Sequence, residues 1–228
     1  MSDLDRYKRQ AAVAAVDRMT SGTVVGLGSG STAAHAVTEI AARLDDGRLS
    51  DIRGIPTSAA AETLARRLGI PLVEPGPDHA VAVAIDGADE IAPDLSLIKG
   101  GGGAMLRERI VASLAEVFVV VADHTKLVPM LGTGFAVPLE VTPFGVASTL
   151  ARLASHGEPA LRADGDRPFV TDNGNLVVDL ATGPIADPGA LDATLRAVPG
   201  VLATGLFVGI ADLVIVAGPD GLITLMAR

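Results

Sequence analysis

The sequence of 228 residues contains no cysteine and no tryptophan, and only 3% of its residues are aromatic. The absence of cysteine excludes disulfide bonds and thiolate chemistry, so a zinc site would have to use histidines and carboxylates. The four histidines, His35, His79, His124 and His156, lie far apart and do not have the spacing of metal ligands. The scarcity of aromatic rings also leaves few surfaces on which nucleic-acid bases could stack.

Positive charge is scarce as well. Lysine and arginine together number 18 against 27 acidic residues, which gives a net charge of -9. This balance repels polyphosphate chains and anionic membranes, and it allows a small anionic ligand only where a few cations converge. The opening residues MSDLDRYKRQ are charged at once, and the apolar runs are too short to span a bilayer. We therefore predict a cytoplasmic protein that binds neither nucleic acid nor membranes.

What the chain does contain is small aliphatic residues, and 49% of it is hydrophobic. Apolar runs alternate with helical segments over residues 1–131, which predicts an α/β fold with a largely parallel open sheet, Rossmann-like, with helices on both faces. Residues 132–206 combine a hairpin signal at Asn173-Gly174, two helical segments and the strand pattern GVLATGLFV. These features predict a smaller α+β domain of the ferredoxin-like type. Residues 207–228 are predicted to return to the first sheet as a strand pair.

The stretch GLGSGSTA is rich in glycine, follows a strand and opens a helix. Its backbone N–H groups and the helix dipole favour an anion, and the hydroxyls of Ser29, Ser31 and Thr32 suit a monophosphate. The loop also fits loosely the glycine pattern of dinucleotide sites. The next strand, however, ends in GIPTS and brings no acidic residue for a ribose. A phosphate site is therefore favoured over a dinucleotide site and over a turn without a ligand.

The stretch DGADE directly follows the buried strand AVAVAI. Asp86 and Asp89 therefore lie at the carboxyl end of a strand, where open α/β sheets bind ligands. Asp-Gly is also a common turn sequence, but a turn does not need three acids in five residues. The carboxylates could bind Mg²⁺ or accept hydrogen bonds from the hydroxyls of a polyol. The spacing leaves these two interpretations open.

The stretch LIKGGGGAMLRE places Lys99 before four consecutive glycines and Glu108 on the helix that follows. Glycines let backbone amides approach a ligand with no Cβ in the way. Helical spacing places Glu108 within an apolar stripe, where partial desolvation would raise the pKa of its carboxyl toward the range of a general base. The alternative is a surface glutamate paired with a neighbouring arginine. The glycines and the lysine beside it favour the general base.

Lysine 126 follows another strand end, in the stretch ADHTKLVPMLG. A lone lysine is usually a solvated surface group. Lys126, however, would add a positive charge to the site from a third strand end, so we predict that it binds a phosphate. Lys8, on the first helix, is a weaker candidate for the same role.

The motifs GLGSGSTAAH, DGADE, LIKGGGGAMLRE and VVADHTKLVPMLG, in this order, resemble the type A ribose-5-phosphate isomerases. VTDNGNLVVDL and VPGVLATGLF fit the same family, so the resemblance covers nearly the whole chain. It implies a cofactor-free aldose–ketose isomerase of the non-oxidative pentose phosphate pathway. Such an enzyme interconverts D-ribose 5-phosphate and D-ribulose 5-phosphate through an enediolate. The resemblance also implies a homodimer or a homotetramer. The absence of grouped histidine or cysteine ligands, together with Lys99 and the glycine amides, separately predicts a reaction that needs no metal ion.

Site residues follow from the resemblance position by position. The implied substrate-binding residues are Ser29, Gly30, Ser31, Thr32, Asp86, Gly87, Ala88, Asp89, Lys99, Gly100, Gly101, Gly102 and Lys126. The implied proton acceptor is Glu108, and Asp86 and Asp89 would hold hydroxyls and assist ring opening. Lys99 and the glycine amides would face the enediolate oxygen. The chain departs from the family at Ser29, where threonine is frequent, and at His124-Thr125 before Lys126.

Three other functions remain as alternatives. One is a different sugar-phosphate isomerase or an aminosugar-phosphate deaminase. Another is the sugar-phosphate-sensing module of a transcription regulator, which would normally carry a basic DNA-binding segment that this sequence lacks. The third is nucleotide binding, which the missing ribose acid disfavours. Formation of ribulose 5-phosphate from ribose 5-phosphate, measured beside ligand binding, separates all of these.

Overall fold

The computed structural model describes residues 2–226, and these residues form two compact units. The first unit comprises the described chain up to Gly87, then Arg107–Lys126, then the chain from Ile210 onward. The second unit comprises Ala88–Leu106 and Leu127–Gly209. Across residues 2–226, no helix is both long enough and apolar enough to cross a membrane.

The elements alternate along the chain as the sequence predicts. The helices are α1 (Asp3–Val16), α2 (Gly30–Asp45), α3 (Ala59–Arg67), α4 (Met105–Leu114), α5 (Val146–Leu153) and α6 (Pro188–Arg196), with a 3-10 turn at His124–Lys126. The strands are β1 (Val24–Leu27), β2 (Arg53–Pro56), β3 (Val81–Asp86), β4 (Glu90–Ile91), β5 (Leu97–Ile98), β6 (Ala115–Asp123), β7 (Val137–Val141), β8 (Glu158–Leu161), β9 (Ala163–Asp164), β10 (Arg167–Pro168), β11 (Leu176–Ala181), β12 (Val201–Thr204), β13 (Leu206–Phe207), β14 (Leu213–Gly218) and β15 (Gly221–Met226).

The first unit is built on a six-stranded sheet in the order β15-β14-β6-β3-β1-β2. All neighbours pair in parallel except β15, which runs antiparallel to β14 at one edge. Leu27 and Ile85 belong to the apolar core that α1 and α2 cover. On the other face, a Cβ placed on Gly26 would lie 2.6 Å from the Val111 side chain of α4. Helices therefore cover both faces, and the predicted Rossmann-like α/β fold is confirmed.

The second unit contains an antiparallel four-stranded sheet in the order β12-β7-β11-β8. Along the chain its elements run β7-α5-β8-β11-α6-β12, which is the β-α-β-β-α-β order of the ferredoxin-like fold. Leu139, Leu180, Leu153 and Leu195 are fully buried between this sheet and its two helices. The prediction of a small ferredoxin-like unit is therefore confirmed.

The boundaries of the units differ from the predicted domains, which were 1–131 with 207–228 and 132–206. Residues 88–106 follow β3 in sequence, but β5 lies between β4 and β13 in a three-stranded sheet, and these residues belong to the second unit. The run GVLATGLFV, predicted as one strand, is broken at Gly205 into β12 and β13. The Gly205 N–H donates to the Pro138 carbonyl at 2.7 Å, and its carbonyl accepts from the Lys99 N–H at 2.8 Å. One apolar run thus serves two sheets, and strand pattern alone does not show such a switch.

Candidate active site

Asp86 is the last residue of β3 and is only 3% exposed. Its Oδ1 accepts hydrogen bonds from the backbone N–H groups of Ser29, at 2.9 Å, and Gly87, at 2.7 Å. β1 and β3 are parallel neighbours, so the loop after β1 and the end of β3 meet at the same edge of the sheet. A Cβ on Gly28 would collide with Asp86, so only glycine permits this approach. Backbone donors therefore fix the orientation of the Asp86 carboxylate.

The loop after β1 opens α2 at Gly30, whose φ is +86°. Ser29, the N-cap residue, does not use its side chain to cap the helix. Its Oγ lies 2.7 Å from both Thr57 Oγ1 and Ser58 Oγ, in the loop after β2. Thr57 and Ser58 were not predicted as site residues, although the stretch GIPTS places two hydroxyls at a strand end. These three hydroxyls form a polar cluster at the edge of the first sheet.

Lys8 on α1 reaches the start of α2, where its Nζ lies 3.1 Å from the hydroxyl of Ser31. Ser31 is exposed and Thr32 is buried in the first turn of the helix. A helix N-terminus offers backbone donors and a positive dipole end, and Lys8 adds a full positive charge. Lys8, the weaker candidate for a phosphate-binding lysine in the sequence, therefore lies where an anion would be stabilised.

Lys126 belongs to the 3-10 turn that follows β6. Asp123, 1% exposed at the end of that strand, accepts hydrogen bonds from both the backbone N–H and the hydroxyl of Thr125. The ring of His124 lies 5.6 Å from the ring of Tyr7, edge to face, and Tyr7 precedes Lys8 on α1. His124 and Thr125 therefore hold this turn in place through the ring of Tyr7 and the carboxylate of Asp123.

Glu108 lies on α4 and is 6% exposed, so the predicted desolvation of its carboxylate is present. A narrow space between the first sheet and this helix is lined by Glu108, Asp86, Gly28 and Thr57, together with apolar side chains such as Val111. Two of the predicted carboxylates are thus brought to one confined and largely apolar space.

In the second unit, Asp89 is tied to the glycine loop. Its Oδ2 accepts from the Gly101 N–H at 2.8 Å, and its own N–H donates to the Ile98 carbonyl at 2.8 Å. Lys99 is 2% exposed, and its Nζ lies 5.5 Å from the centre of the Phe207 ring, within the range of a cation–π contact. The structure therefore orders Asp89, Lys99 and the start of the glycine loop together.

The four glycines of the loop have different surroundings. Gly100 and Gly103 have φ of +97° and +79°, in the left-handed region that favours glycine. A Cβ on Gly101 would come within 2.7 Å of Asp89 Oδ1, whereas a Cβ on Gly102 would meet nothing within 4 Å. Gly101 and Gly102 are exposed. Local structure thus requires glycine at three of these positions but not at Gly102.

The predicted site residues divide between the two units as follows. The first unit holds Ser29, Gly30, Ser31, Thr32, Asp86, Gly87, Glu108 and Lys126, and the second holds Ala88, Asp89, Lys99, Gly100, Gly101 and Gly102. Within residues 2–226, no three histidine or acidic side chains are grouped so as to hold a metal ion.

Comparison with known proteins identifies one family. The model of the family ribose 5-phosphate isomerase A (phosphoriboisomerase A) matches residues 53–221. The chain is 52% identical to ribose-5-phosphate isomerase A of Roseiflexus castenholzii over 221 residues, which cover 96% of this chain and 94% of that protein. It is 46% identical to the protein of the same name from Deinococcus radiodurans over 220 residues, covering 96% and 97%.

Solved structures agree with this similarity. A D-ribose-5-phosphate isomerase in complex with phospho-erythronic acid superposes with a TM-score of 0.96 at 37% identity, covering 99% of this chain and all of that one. Ribose 5-phosphate isomerase from Plasmodium falciparum superposes with a TM-score of 0.95 at 35% identity, covering 98% and 99%.

Proposed function

The chain belongs to the ribose 5-phosphate isomerase A family, and we infer that it interconverts D-ribose 5-phosphate and D-ribulose 5-phosphate. The observation that carries this inference is the identity of about half of all residues over nearly the full length of named isomerases. It displaces the alternatives that the sequence left open, namely a deaminase, a sensing module and a nucleotide-binding protein. The reaction belongs to the non-oxidative pentose phosphate pathway.

The reaction moves a carbonyl group from C1 to C2 of an open-chain sugar. One base must remove the proton from C2 and return it to C1, and the intermediate enediolate carries negative charge on oxygen. Catalysis therefore requires a carboxylate of suitable basicity and donors or cations at the developing oxyanion. These two requirements determine the roles proposed for the residues of the site.

Glu108 is the proton acceptor in this proposal. Its support is the burial of the side chain and its position in the narrow space that Asp86 also lines. The backbone N–H groups of Ser29 and Gly87 already occupy Asp86 Oδ1, which suits Asp86 better to holding a hydroxyl than to shuttling a proton.

Lys99 and the backbone amides of the glycine loop stabilise the enediolate oxygen. The support is the burial of Lys99, which strengthens its electrostatic interactions, and the exposed backbone of Gly102, next to the Gly101 N–H that is bonded to Asp89. Asp89, like Asp86, accepts a backbone N–H through one oxygen. Both aspartates hold sugar hydroxyls and assist opening of the furanose ring.

Ser31, Thr32 and Lys126 bind the substrate phosphate, and Lys8 joins them. The support is the N-terminus of α2 beside the Lys8 ammonium group, and the ordered turn that carries Lys126. A structural neighbour at 37% identity binds phospho-erythronic acid, which likewise carries a phosphate. The Ser29 hydroxyl, together with Thr57 and Ser58, borders this part of the site.

The direct test of the proton shuttle is Glu108→Gln, which keeps the shape of the side chain and removes its basic oxygen. We expect kcat to fall roughly 10²–10⁴-fold, the usual worth of a positioned general base, with little change in KM. Exchange of the C2 proton with deuterated solvent should fall in parallel. Glu116→Gln, an exposed glutamate on β6, is the matched control and should keep wild-type kcat. A Glu108→Gln enzyme that exchanges this proton at the wild-type rate would transfer the role to Asp86 or Asp89.

The assembly and the compartment complete the proposal. The chain forms a homodimer or a homotetramer in the cytoplasm, as the family resemblance implies. Light scattering of the purified protein measures the assembly state directly, and a monomer that isomerises ribose 5-phosphate at full rate would contradict it.

A further inference from the structure

Arg162, which follows β8, is linked to the backbone of the glycine loop. Its side chain is 15% exposed, and its Nη1 donates to the carbonyls of Gly100, at 3.1 Å, and Gly101, at 2.9 Å. On its other side the guanidinium pairs with both carboxylate oxygens of Asp179 on β11, with Nε 2.8 Å from Oδ2. The ferredoxin-like sheet therefore carries an ion pair whose cation holds two consecutive loop carbonyls.

Peptide geometry converts this contact into a constraint on N–H groups. In a trans peptide the carbonyl and the N–H of the same plane point in opposite directions. The Gly100 carbonyl shares its plane with the Gly101 N–H, which donates to Asp89 Oδ2. The Gly101 carbonyl shares its plane with the N–H of Gly102. A cation that holds both carbonyls from one side therefore directs both N–H groups to the opposite side.

We propose that Arg162, held by Asp179, is a positioning residue that sets the direction of the Gly102 N–H group for catalysis, with the Gly101 N–H anchored on Asp89. This inference rests on the proposed role of the glycine loop at the enediolate oxygen. The positive charge at the carbonyl ends also polarises the two peptides, which makes their N–H groups stronger donors. Arg162 thus acts on the reaction through the backbone and without contact to the substrate.

The loop needs such support because glycine backbone is costly to order. Donors stabilise a transition state well only if they are fixed before the reaction begins. Phe169 gives a second anchor in the same place: its ring centre lies 5.7 Å from the Arg162 guanidinium carbon, and a Cβ on Gly103 would collide with its ring. Arg162 and Phe169 together hold the loop between Gly100 and Gly103.

Arginine is required here for its shape as well as its charge. Four of its N–H bonds are used, two toward the carboxylate and two toward the carbonyls. A lysine ammonium is a point charge with three donors on a flexible stem, and it cannot span both partners. The Arg162→Lys variant therefore separates the effect of the planar fork from that of the charge alone.

The experiment compares kinetics of Arg162→Gln and Arg162→Lys with those of Arg167→Gln, an exposed arginine of the same unit. We expect both Arg162 variants to lose roughly 10–10²-fold in kcat, as misplaced donors do, with KM for ribose 5-phosphate nearly unchanged. Arg167→Gln should match the wild type. Because Arg162→Gln leaves Asp179 without this partner, the double variant Arg162→Gln/Asp179→Asn serves as a neutral replacement and should show the same loss of kcat.

Binding measurements add a readout that general damage to the fold would not give. The carboxylate of phospho-erythronic acid is planar and anionic like an enediolate, so its affinity should fall about 10-fold in the Arg162 variants. Competitive inhibition by inorganic phosphate should be unchanged. Wild-type kcat in Arg162→Gln or in Arg162→Lys would overturn the inference, and so would an equal loss of affinity for both ligands.

The variant Gly102→Ala distinguishes failure of this inference from failure of the proposed function. If the glycine loop does not serve the reaction, Gly102→Ala and Arg162→Gln will both keep wild-type kcat. If the loop serves the reaction but Arg162 does not direct it, only Gly102→Ala will lose activity. Loss in both, with phosphate inhibition retained, is the result that we expect.

Discussion

Gly102 is the one glycine of the loop that the local fold does not require. Its neighbours in the loop are glycines for local reasons, through left-handed φ or contacts with Asp89 and Phe169. Gly102 has neither a left-handed φ nor a neighbour that a Cβ would touch. If glycine is needed at this position, the reason is therefore the ligand.

We accordingly expect Gly102→Ala to fold normally and to lose activity. Replacing glycine by alanine at a compatible φ is neutral or stabilises a protein by about 0.4–1 kcal/mol, so the Tm should not fall. A methyl group against the substrate should lower kcat/KM roughly 10²-fold, the cost of a displacement of about 1 Å. Gly76→Ala, at another position with free space and ordinary φ, is the matched control. Full activity in Gly102→Ala would remove this backbone from the site.

At the residue scale, the sequence was sufficient to predict a site residue wherever its role follows from its local position in a strand or helix. Asp86 could be placed because a carboxylate follows a buried strand, and the burial of Glu108 because helical spacing puts it on an apolar stripe. Thr57, Ser58 and Arg162 could not, because their partners are set by which strands become neighbours. That information lies in tertiary pairing and has no local pattern.

Among the elements, the 3-10 turn after β6 determines the position of Lys126. Three residues form it, and Asp123 at the end of the strand holds its middle residue, Thr125, by two hydrogen bonds. Gly218 on the neighbouring strand β14 lies against His124, where an added Cβ would come within 2.9 Å of the histidine Cβ. The turn is therefore fixed on the sheet, and Lys126 extends from a rigid support.

Lys126→Ala should consequently act on binding and leave the chemical step largely intact. Loss of one charge-assisted contact costs about 1–3 kcal/mol, so KM should rise while kcat changes little. Inhibition by free phosphate should weaken by the same factor. Arg152→Ala, an exposed cation on α5, is the control for the loss of a positive charge. If KM and phosphate inhibition both stay at wild-type values, Lys126 is an ordinary surface lysine.

Elements with a strong periodic pattern were predicted well. An apolar run whose two halves pair with strands of different sheets was not. The strand that leads into a helix at GLGSGSTA and the helix that carries Glu108 were both predicted, and they are present as β1, α2 and α4. The run from Gly200 to Val208 did not form one strand, because the backbone of Gly205 bonds to both Pro138 and Lys99 and passes from one sheet to the other. Hydrophobic alternation is the same on both sides of such a switch.

For the molecule as a whole, the hydrogen-bond donors proposed for the enediolate oxygen predict a reaction that needs no metal ion. The proposed enediolate stabilisers are Lys99 and backbone amides, and Asp86 and Asp89 each give one oxygen to a backbone N–H. The isomerisation rate should therefore be the same before and after exhaustive treatment with EDTA. Adding Mg²⁺ back to the treated enzyme is the control. Activity that disappears on chelation and returns with Mg²⁺ would make these aspartates metal ligands.

The division into units was the least accessible feature of the whole molecule. Composition and periodicity distinguish an α/β region from an α+β region, and both folds were predicted on that basis. They do not reveal that β5, which pairs with β4 on one side, pairs on the other with β13, a strand more than a hundred residues later. A boundary depends on such long-range pairing, and residues 88–106, which the sequence assigned to the first domain, lie in the second compact unit.

The order of the strands in the first sheet also has a consequence for synthesis of the chain. β6 lies between β3 and β14, and all of residues 127–209 must be translated before β14 emerges from the ribosome. During that interval the nascent chain carries a run of apolar β-formers, VFVVVA, whose outer edge has no partner strand. Unpaired edges of this kind recruit strands from other chains. Between the synthesis of β6 and that of β14, a polysome making this protein therefore carries a strand edge that is prone to aggregation.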